Sequence, residues 1–464
     1  MRSLFNEIGL SLLKSSNLLF VSAPFIVSWY LYYASRISSP FYFWGNLVVC
    51  VLFMLLYFYF ARTYDAFFIS HNTIGEIVTS QSLSAFLADT AMYFVIILLS
   101  KRLVNPLPLI AVFAIQFALS AFWSWIANLV YYRIYPAKKT LIINDVRRDM
   151  DGIIRKYHME RKFDISKSVS VEECLNDLSV IDDVEVVFLS GVHTHERNII
   201  LKYCMYNDKL VYMIPRVGDV IMSGAQQVHL FHLPMLRTGG YRPNPEYVIT
   251  KRLFDIIASV LGLIVLSPLF LVVAIVIKAS DKGPVFYRQE RLTKDGKRFM
   301  IHKFRSMRVD AEKDGVARLS TGANDDRITP VGRFIRKCRI DELPQLIDIL
   351  SGNLSVVGPR PERPQIAEEY MKEMPEFQLR LQCKAGLTGY AQVYGKYNTT
   401  PYDKLQMDLM YIAHPSFAED LRICFATIRI LFTPESTEGI AQGQTTAMVT
   451  GTPEDEKDQK DSND

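Results

Sequence analysis

Asp341 and Glu342 are adjacent carboxylates in the stretch Arg339-Ile340-Asp341-Glu342-Leu343-Pro344-Gln345, with Arg333, Arg336, Lys337 and Arg339 on the approach. Residues 343–350 are mostly apolar and stop at Gly352, which predicts a short helix with Asp341 near its N-terminus and Pro344 in its first turn. Neighbouring side chains on a helix point about 100° apart, so two adjacent acids serve different ends. One can attack while the other holds a cation. Nearby cations and a helix N-terminus keep an Asp ionised at neutral pH, and carboxylates act as nucleophiles toward phosphoryl groups. Taken alone, the pair reads first as an N-cap and a first-turn acid.

The surroundings change that balance. Arg288, Arg291, Lys303, Arg305, Arg333, Arg336 and Arg360 recur on short segments around the pair. Any one of them is equally a solvated cation at the headgroup level of a membrane. As a set they suit two phosphorylated substrates, a diphosphate donor and a phosphate acceptor, because Arg neutralises phosphate bidentately. Gly358-Pro359-Arg360-Pro361 is a rigid turn presenting one Arg, and Gly386-Leu387-Thr388-Gly389-Tyr390 is a Gly-rich loop, a weak signal by itself. Asp408 and Tyr411 share a face of a predicted helix over 402–412. His193 with His195, and His229 with His232, lack nearby cysteines or clustered acids and read as ordinary histidines rather than metal ligands.

These groups need a frame, and the 464-residue chain is long enough for two or three units with cores of their own. Half of the residues are apolar and 12% are aromatic, and a net charge of +4 makes no case for nucleic acid as a partner. Six scattered cysteines without a CxxC pair argue against a zinc ribbon or redox motif and fit a reducing compartment. Four apolar runs, 17–34, 43–60, 83–99 and 107–132, each have about the length that crosses a bilayer core, with Trp and Tyr near their ends. No small-residue cleavage site follows the first run, so it reads as a retained span. Arg2, Lys14, Arg62, Arg133, Lys138 and Lys139 fall on one side and only Arg36, Lys101 and Arg102 on the other, which makes the N-terminus and everything after the fourth span cytoplasmic.

Residues 1–138 are therefore the transmembrane region. Residues 139–245 read as a small parallel α/β domain, with strands at 140–144, 184–190 and 210–214 and a helix at 196–206. The first strand ends in Asn144-Asp145-Val146-Arg147 without the GxGxxG that lets a backbone approach a pyrophosphate, so a Rossmann-like domain without a dinucleotide is expected, regulatory or for assembly. A fifth apolar run lies in 253–279 and contains Ser267-Pro268, where the helix should kink. Basic residues at both ends (Lys251, Arg252, Lys278, Lys282) favour a re-entrant helix over a straight span, which would place the following unit outside the cell. The last unit, 246–433, carries the motifs. The charged and polar tail, 434–464, reads as disordered.

Residues 251–432 resemble the bacterial sugar transferase family, the monotopic phosphoglycosyl transferases. The resemblance rests on ordered pieces: Lys-Arg-Leu-Phe-Asp (251–255), Ser-Pro (267–268), Gly-Pro-Val-Phe-Tyr-Arg-Gln-Glu-Arg (283–291), Lys-Phe-Arg-Ser-Met (303–307), Asp-Glu-Leu-Pro-Gln (341–345), Leu-Ser-Val-Val-Gly-Pro-Arg-Pro (354–361) and Gly-Leu-Thr-Gly-Tyr-Ala-Gln-Val (386–393). Together with the four spans and the middle domain, the chain is similar to the large branch that includes undecaprenyl-phosphate glucose and galactose phosphotransferases. The resemblance implies that Asp341 attacks the sugar-bearing phosphate of a UDP-sugar, that UMP leaves, and that undecaprenyl phosphate then attacks the phosphosugar–aspartate. It implies Glu342 as ligand of Mg²⁺, with Lys303, Arg305, Arg336, Arg360, Gln392 and Asp408 around the substrates. It further implies an inner-membrane homodimer starting a surface polysaccharide. Lys384-Ala385 stands where many members have Arg-Pro, Tyr390 where Trp is usual, and Tyr394-Gly395-Lys396 where Asn-Gly-Arg is frequent. These keep charge or aromaticity and leave the sugar open. A non-catalytic assembly scaffold and a conventional glycosyltransferase are the competing readings.

Overall fold

The fold is that of a computed structural model, which describes residues 2–70, 72–145, 150–309, 311, 327–395 and 399–431. Val146, Arg147, Lys396 and the tail 434–464 lie outside the described residues. The chain divides into two compact units, Met1–Ile214 and Pro215–Asp464.

The first unit begins with four helices, α1 (Arg2–Ser28, continued by a π-helical turn Trp29–Tyr33), α2 (Phe43–Thr63), α3 (Ile74–Ser100) and α4 (Leu107–Ile134). α1 packs on α2 and α4, and α3 packs on the same two, so the four form a bundle. α3 starts nine residues earlier than the apolar run that announced it at 83. Thr73 and Glu76 cap it reciprocally, and its polar first turns find partners inside the bundle. Gln81 donates to the carbonyl of Ala66 (3.2 Å) and Ser84 to that of Ser80 (2.7 Å).

A parallel four-stranded sheet follows, in the order β2-β1-β3-β4. Its strands are β1 (Lys138–Asn144), β2 (Phe163–Ser170), β3 (Val186–Ser190) and β4 (Leu210–Met213). Helix α5 (Met150–Lys156) covers one face over Ile142 and Val186. Helices α6 (Val171–Asn176) and α7 (Thr194–Tyr206) cover the other over Leu141, Ile143 and Leu189. Apolar strands buried on both faces are what a parallel sheet requires. β2 was not foreseen, because Asp164, Ser166, Lys167 and Ser168 dilute its apolar pattern at the sheet edge.

The second unit opens with α8 (Val217–Ser223) and an antiparallel hairpin, β5 (Gln226–Leu230) and β6 (Leu233–Arg237). Residues from 215 onward, read from sequence with the middle domain, thus fold with the C-terminal unit, where Val220 joins its core. The long α9 (Pro245–Asp281) stays helical through Ser267-Pro268. After it come the hairpin β7 (Phe286–Leu292) and β8 (Arg298–Phe304), then α10 (Pro330–Lys337), α11 (Gln345–Ser351), β9 (Ser355–Val357) and α12 (Pro364–Glu373). β10 (Gly386–Thr388) pairs parallel with β9, and α13 (Tyr390–Tyr394), α14 (Pro401–Ala413) and α15 (Phe417–Leu431) complete the unit.

The full length of α9 bears on this one unit. Arg252 donates to the carbonyls of Ile349 (2.8 Å) and Leu350 (2.9 Å), capping the C-terminus of α11. Asp255, almost wholly buried, accepts from the Ser355 hydroxyl (3.1 Å) and the Val356 N–H (2.9 Å). Farther along, Leu263 and Leu266 pack beside Leu346 and Ile349, and Val273 and Ile277 beside Phe304 and Ile335. The opposite face exposes Leu253, Ile257, Leu261, Val265, Leu271 and Val272. Among the described residues, five helices, α1–α4 and α9, are long and apolar enough to cross a membrane.

Candidate active site

Arg339 takes a left-handed backbone (φ 53°), which turns the chain sharply out of α10. A single 3₁₀ turn, Ile340–Glu342, follows and carries both carboxylates. Pro344 then stands just before α11 rather than in its first turn, and Gly352 (φ 87°) closes that helix as expected. The acids thus sit on a tight turn wedged between two helices.

Glu342 Oε1 accepts from Lys303 Nζ at 2.7 Å and from Arg360 Nη2 at 2.8 Å. Burial opposes its ionisation, but Arg360 and Lys303 outweigh that and hold the Glu342 carboxyl well below the usual range. Asp341 behaves differently. Burial, and then the charge of Glu342, push its carboxyl up to about 6, against the pull of Lys303, Arg336 and Arg360. The cations expected to favour the ionised form of Asp341 are present, but desolvation and a like-charged neighbour work against them. Lys303 is in turn pulled below its ordinary value, first by desolvation.

Each partner is held by buried structure. Lys303 is carried on β8 beside His302, whose N–H and Nδ1 both contact the buried carboxylate of Asp348 on α11 (2.8 and 2.7 Å). This pairing locks the strand bearing Lys303 to the helix that follows Asp341 and Glu342. Arg360 sits on the turn between β9 and α12. Gly358 donates to the Thr388 carbonyl (2.8 Å), and a Cβ on Gly386 would collide with the backbone of Gly358, so the two backbones need glycine to lie this close.

The remaining expected residues divide. Arg336 lies close enough to Asp341 to lower its pKa. Arg305 is not brought to the pair. It is buried just past the end of β8 with its guanidinium against Gly283, near Ile277, Ser280 and Thr329. The Gln392 side-chain Nε2 is buried with no protein partner among the described residues. Asp408 does not face the acids. Its carboxylate, 1% exposed, accepts from Arg380 Nε (2.9 Å) and Nη2 (2.7 Å). Tyr411, on the same face of α14, donates to Asp420 (2.7 Å) and accepts from Lys251 (3.0 Å). Sequence reasoning missed Arg380 and the His302–Asp348 pairing. A charged residue inside an otherwise apolar stretch was the available signal for Asp348.

Magnesium is commonly held by one or two carboxylates together with substrate phosphates. Both cation contacts of Glu342 fall on Oε1, which leaves Oε2, and Asp341 supplies a second hard oxygen donor next to it. No group of three or more His, Cys, Asp or Glu is gathered among the described residues, so an all-protein cage is not what this donor set offers. The residues fit an ion shared with a phosphorylated substrate.

Residues 246–434 match the family described as bacterial sugar transferase. The chain is 37% identical over 226 residues to the UDP-N-acetylgalactosamine-undecaprenyl-phosphate N-acetylgalactosaminephosphotransferase of Aeromonas hydrophila, covering 48% of this chain and 52% of that protein. It is 40% identical over 301 residues to the UDP-glucose:undecaprenyl-phosphate glucose-1-phosphate transferase of Klebsiella pneumoniae, covering 64% of this chain and 57% of that one. A protein of the same name from Caulobacter vibrioides is 37% identical over 206 residues, covering 43% of this chain and 76% of that protein. The chain spans about half the length of the first two relatives.

Proposed function

Because this chain belongs to the bacterial sugar transferase family, and is a multi-pass inner-membrane protein with its catalytic domain on the cytoplasmic side, we propose that it moves a sugar-1-phosphate from a UDP-sugar to undecaprenyl phosphate through an ester on Asp341. The observation that carries the reading is the division of labour in the acid pair. Glu342 is tied at one oxygen by Lys303 and Arg360, while Asp341 is half-buried, has its carboxyl pushed up to about 6 and is not engaged in those bonds.

An oxygen of Asp341 attacks the phosphorus that bears the sugar. The bond from that phosphorus to the bridging oxygen breaks, and UMP leaves with the oxygen and its electron pair. An oxygen of undecaprenyl phosphate then attacks the same phosphorus and Asp341 departs as a carboxylate, giving the lipid diphosphosugar. The sugar phosphate rests on Asp341 after UMP has left and before the lipid acceptor reacts, so the order is ping-pong. Lys303, Arg336 and Arg360 oppose the charge gathered by nucleophile and diphosphate. A magnesium ion at Glu342 would neutralise charge on the donor diphosphate.

α9 supports the membrane side of the proposal. A straight 37-residue helix is about 55 Å long at 1.5 Å per residue. Its first half is bonded to α11 and β9 and its second half packs on β8 and α10, all within one unit. A helix that crossed completely would drag those polar elements through the bilayer. A helix that enters and returns by bending at Ser267-Pro268 would keep one face on the domain and the other in lipid, with Asp341 at headgroup depth. The middle sheet, doubly covered and lacking the pyrophosphate loop, fits a Rossmann-like domain with an accessory role. The test is product analysis with purified protein, Mg²⁺, undecaprenyl phosphate and a panel of UDP-sugars. UMP release dependent on Asp341 is expected. UDP release means glycosyl transfer, and release of neither nucleotide means a scaffold.

A further inference from the structure

The turn that presents Arg360 is fixed at four consecutive carbonyls. Gly386 N–H donates to Pro359 (2.9 Å), and Leu292 N–H donates to Glu362 (3.0 Å). The two carbonyls between them are taken by side chains. Arg380 Nη2 donates to Arg360 (2.9 Å), and Arg291 Nη1 donates to Pro361 (3.1 Å). Pro359 and Pro361 lack N–H groups, so the turn cannot pair itself by donating there. Arg380 is 5% exposed and is aimed by the buried carboxylate of Asp408, with Glu362 3.7 Å away.

We propose that Arg380, held by Asp408, is a positioning residue that sets Arg360 against Glu342, and that Asp408 itself contacts no substrate. The inference rests on the proposed reaction only in using turnover as its readout. Nη2 bonds the Asp408 carboxylate and the Arg360 carbonyl at once, and Nε makes a second bond to Asp408 that fixes the plane of the guanidinium and so the aim of Nη2. Lys carries the charge but offers a single nitrogen at the end of its stem. Arg380→Lys therefore keeps the ion pair with Asp408 and lets the Arg360 carbonyl go. Arg360 then reaches Glu342 from a loosened turn.

The experiment is a double-mutant cycle on the full-length chain with R380K, R360A and the pair, measuring nucleotide release at saturating and limiting UDP-sugar and thermal melting in the same detergent. R380K is expected to lose on the order of tenfold or more in turnover with little change in melting temperature. The double variant is expected to be no worse than R360A within about threefold, because a residue acting through Arg360 has nothing left to position. Losses that multiply would overturn the proposal, as would an R380K enzyme with wild-type turnover. Should R380K fail to fold, the same cycle with Asp408→Asn decides by the same criterion. UDP in place of UMP would count against the proposed reaction and still leave the coupling readable.

Discussion

The proposed reaction needs Asp341 ionised to attack, and its carboxyl is pushed up to about 6 by burial and by Glu342. A group with this raised value is mostly charged at pH 7 and mostly protonated at pH 5. The rate with limiting donor should therefore fall as pH drops below about 6, approaching tenfold per pH unit, in a profile of UMP release against pH. Glu342→Gln removes the like charge beside Asp341, so the acid limb of whatever activity remains should move to lower pH. A limb that stays in place would mean that Glu342 does not act on Asp341 electrostatically. The acid pair stood out in the sequence as adjacent carboxylates among recurring cations, and the resemblance pointed to Lys303, Arg336 and Arg360 among those cations. Asp408 was singled out from sequence, but its bond to Arg380 was not. Its partner Arg380 lies 28 positions away, and nothing in the spacing joins them.

At the scale of elements, three residues of α9 turn a membrane helix into part of the catalytic unit. Asp255→Ala would leave the Val356 N–H and the Ser355 hydroxyl without their acceptor at a site almost closed to water. A loss of about 1–3 kcal/mol is expected, seen as a lower melting temperature in detergent. An unchanged melting temperature would place α9 off the domain. Gly386→Ala should cut activity more than stability suggests, since its Cβ would push the backbone of Gly358 and with it the Arg360 turn. A variant with full turnover would show that the turn tolerates displacement. The sequence reading took Lys251 and Arg252 as markers of topology. They are bonded to Asp420 and to the end of α11, which no hydropathy pattern can reveal because the contacts span about a hundred residues or more. Helix lengths were read short where polar residues such as Gln81 continue a span inside the bundle.

For the whole molecule, the proposed reaction requires that a soluble nucleotide sugar and a lipid phosphate meet at one depth. Cys338 is the exposed thiol among the six cysteines and lies three residues before Asp341. A membrane-impermeant maleimide applied to intact cells should leave it unlabelled, with labelling appearing after permeabilisation. Labelling of intact cells would put the catalytic unit on the wrong side for its donor. Parallel sheet and apolar bundle were both foreseeable from pattern, since burial on two faces and bilayer length leave plain marks. Where residues 215–245 belong was not, because a short helix and a polar hairpin carry no periodicity that assigns them to either neighbour.

The most direct measurement is mass spectrometry of protein mixed with UDP-sugar and Mg²⁺ in the absence of lipid acceptor, then rapidly quenched and digested. A hexose-phosphate mass on the peptide containing Asp341, discharged by adding undecaprenyl phosphate and missing from Asp341→Asn, is the predicted result. Protein shown to turn over that carries no such mass, or carries it on a different residue, would contradict the account.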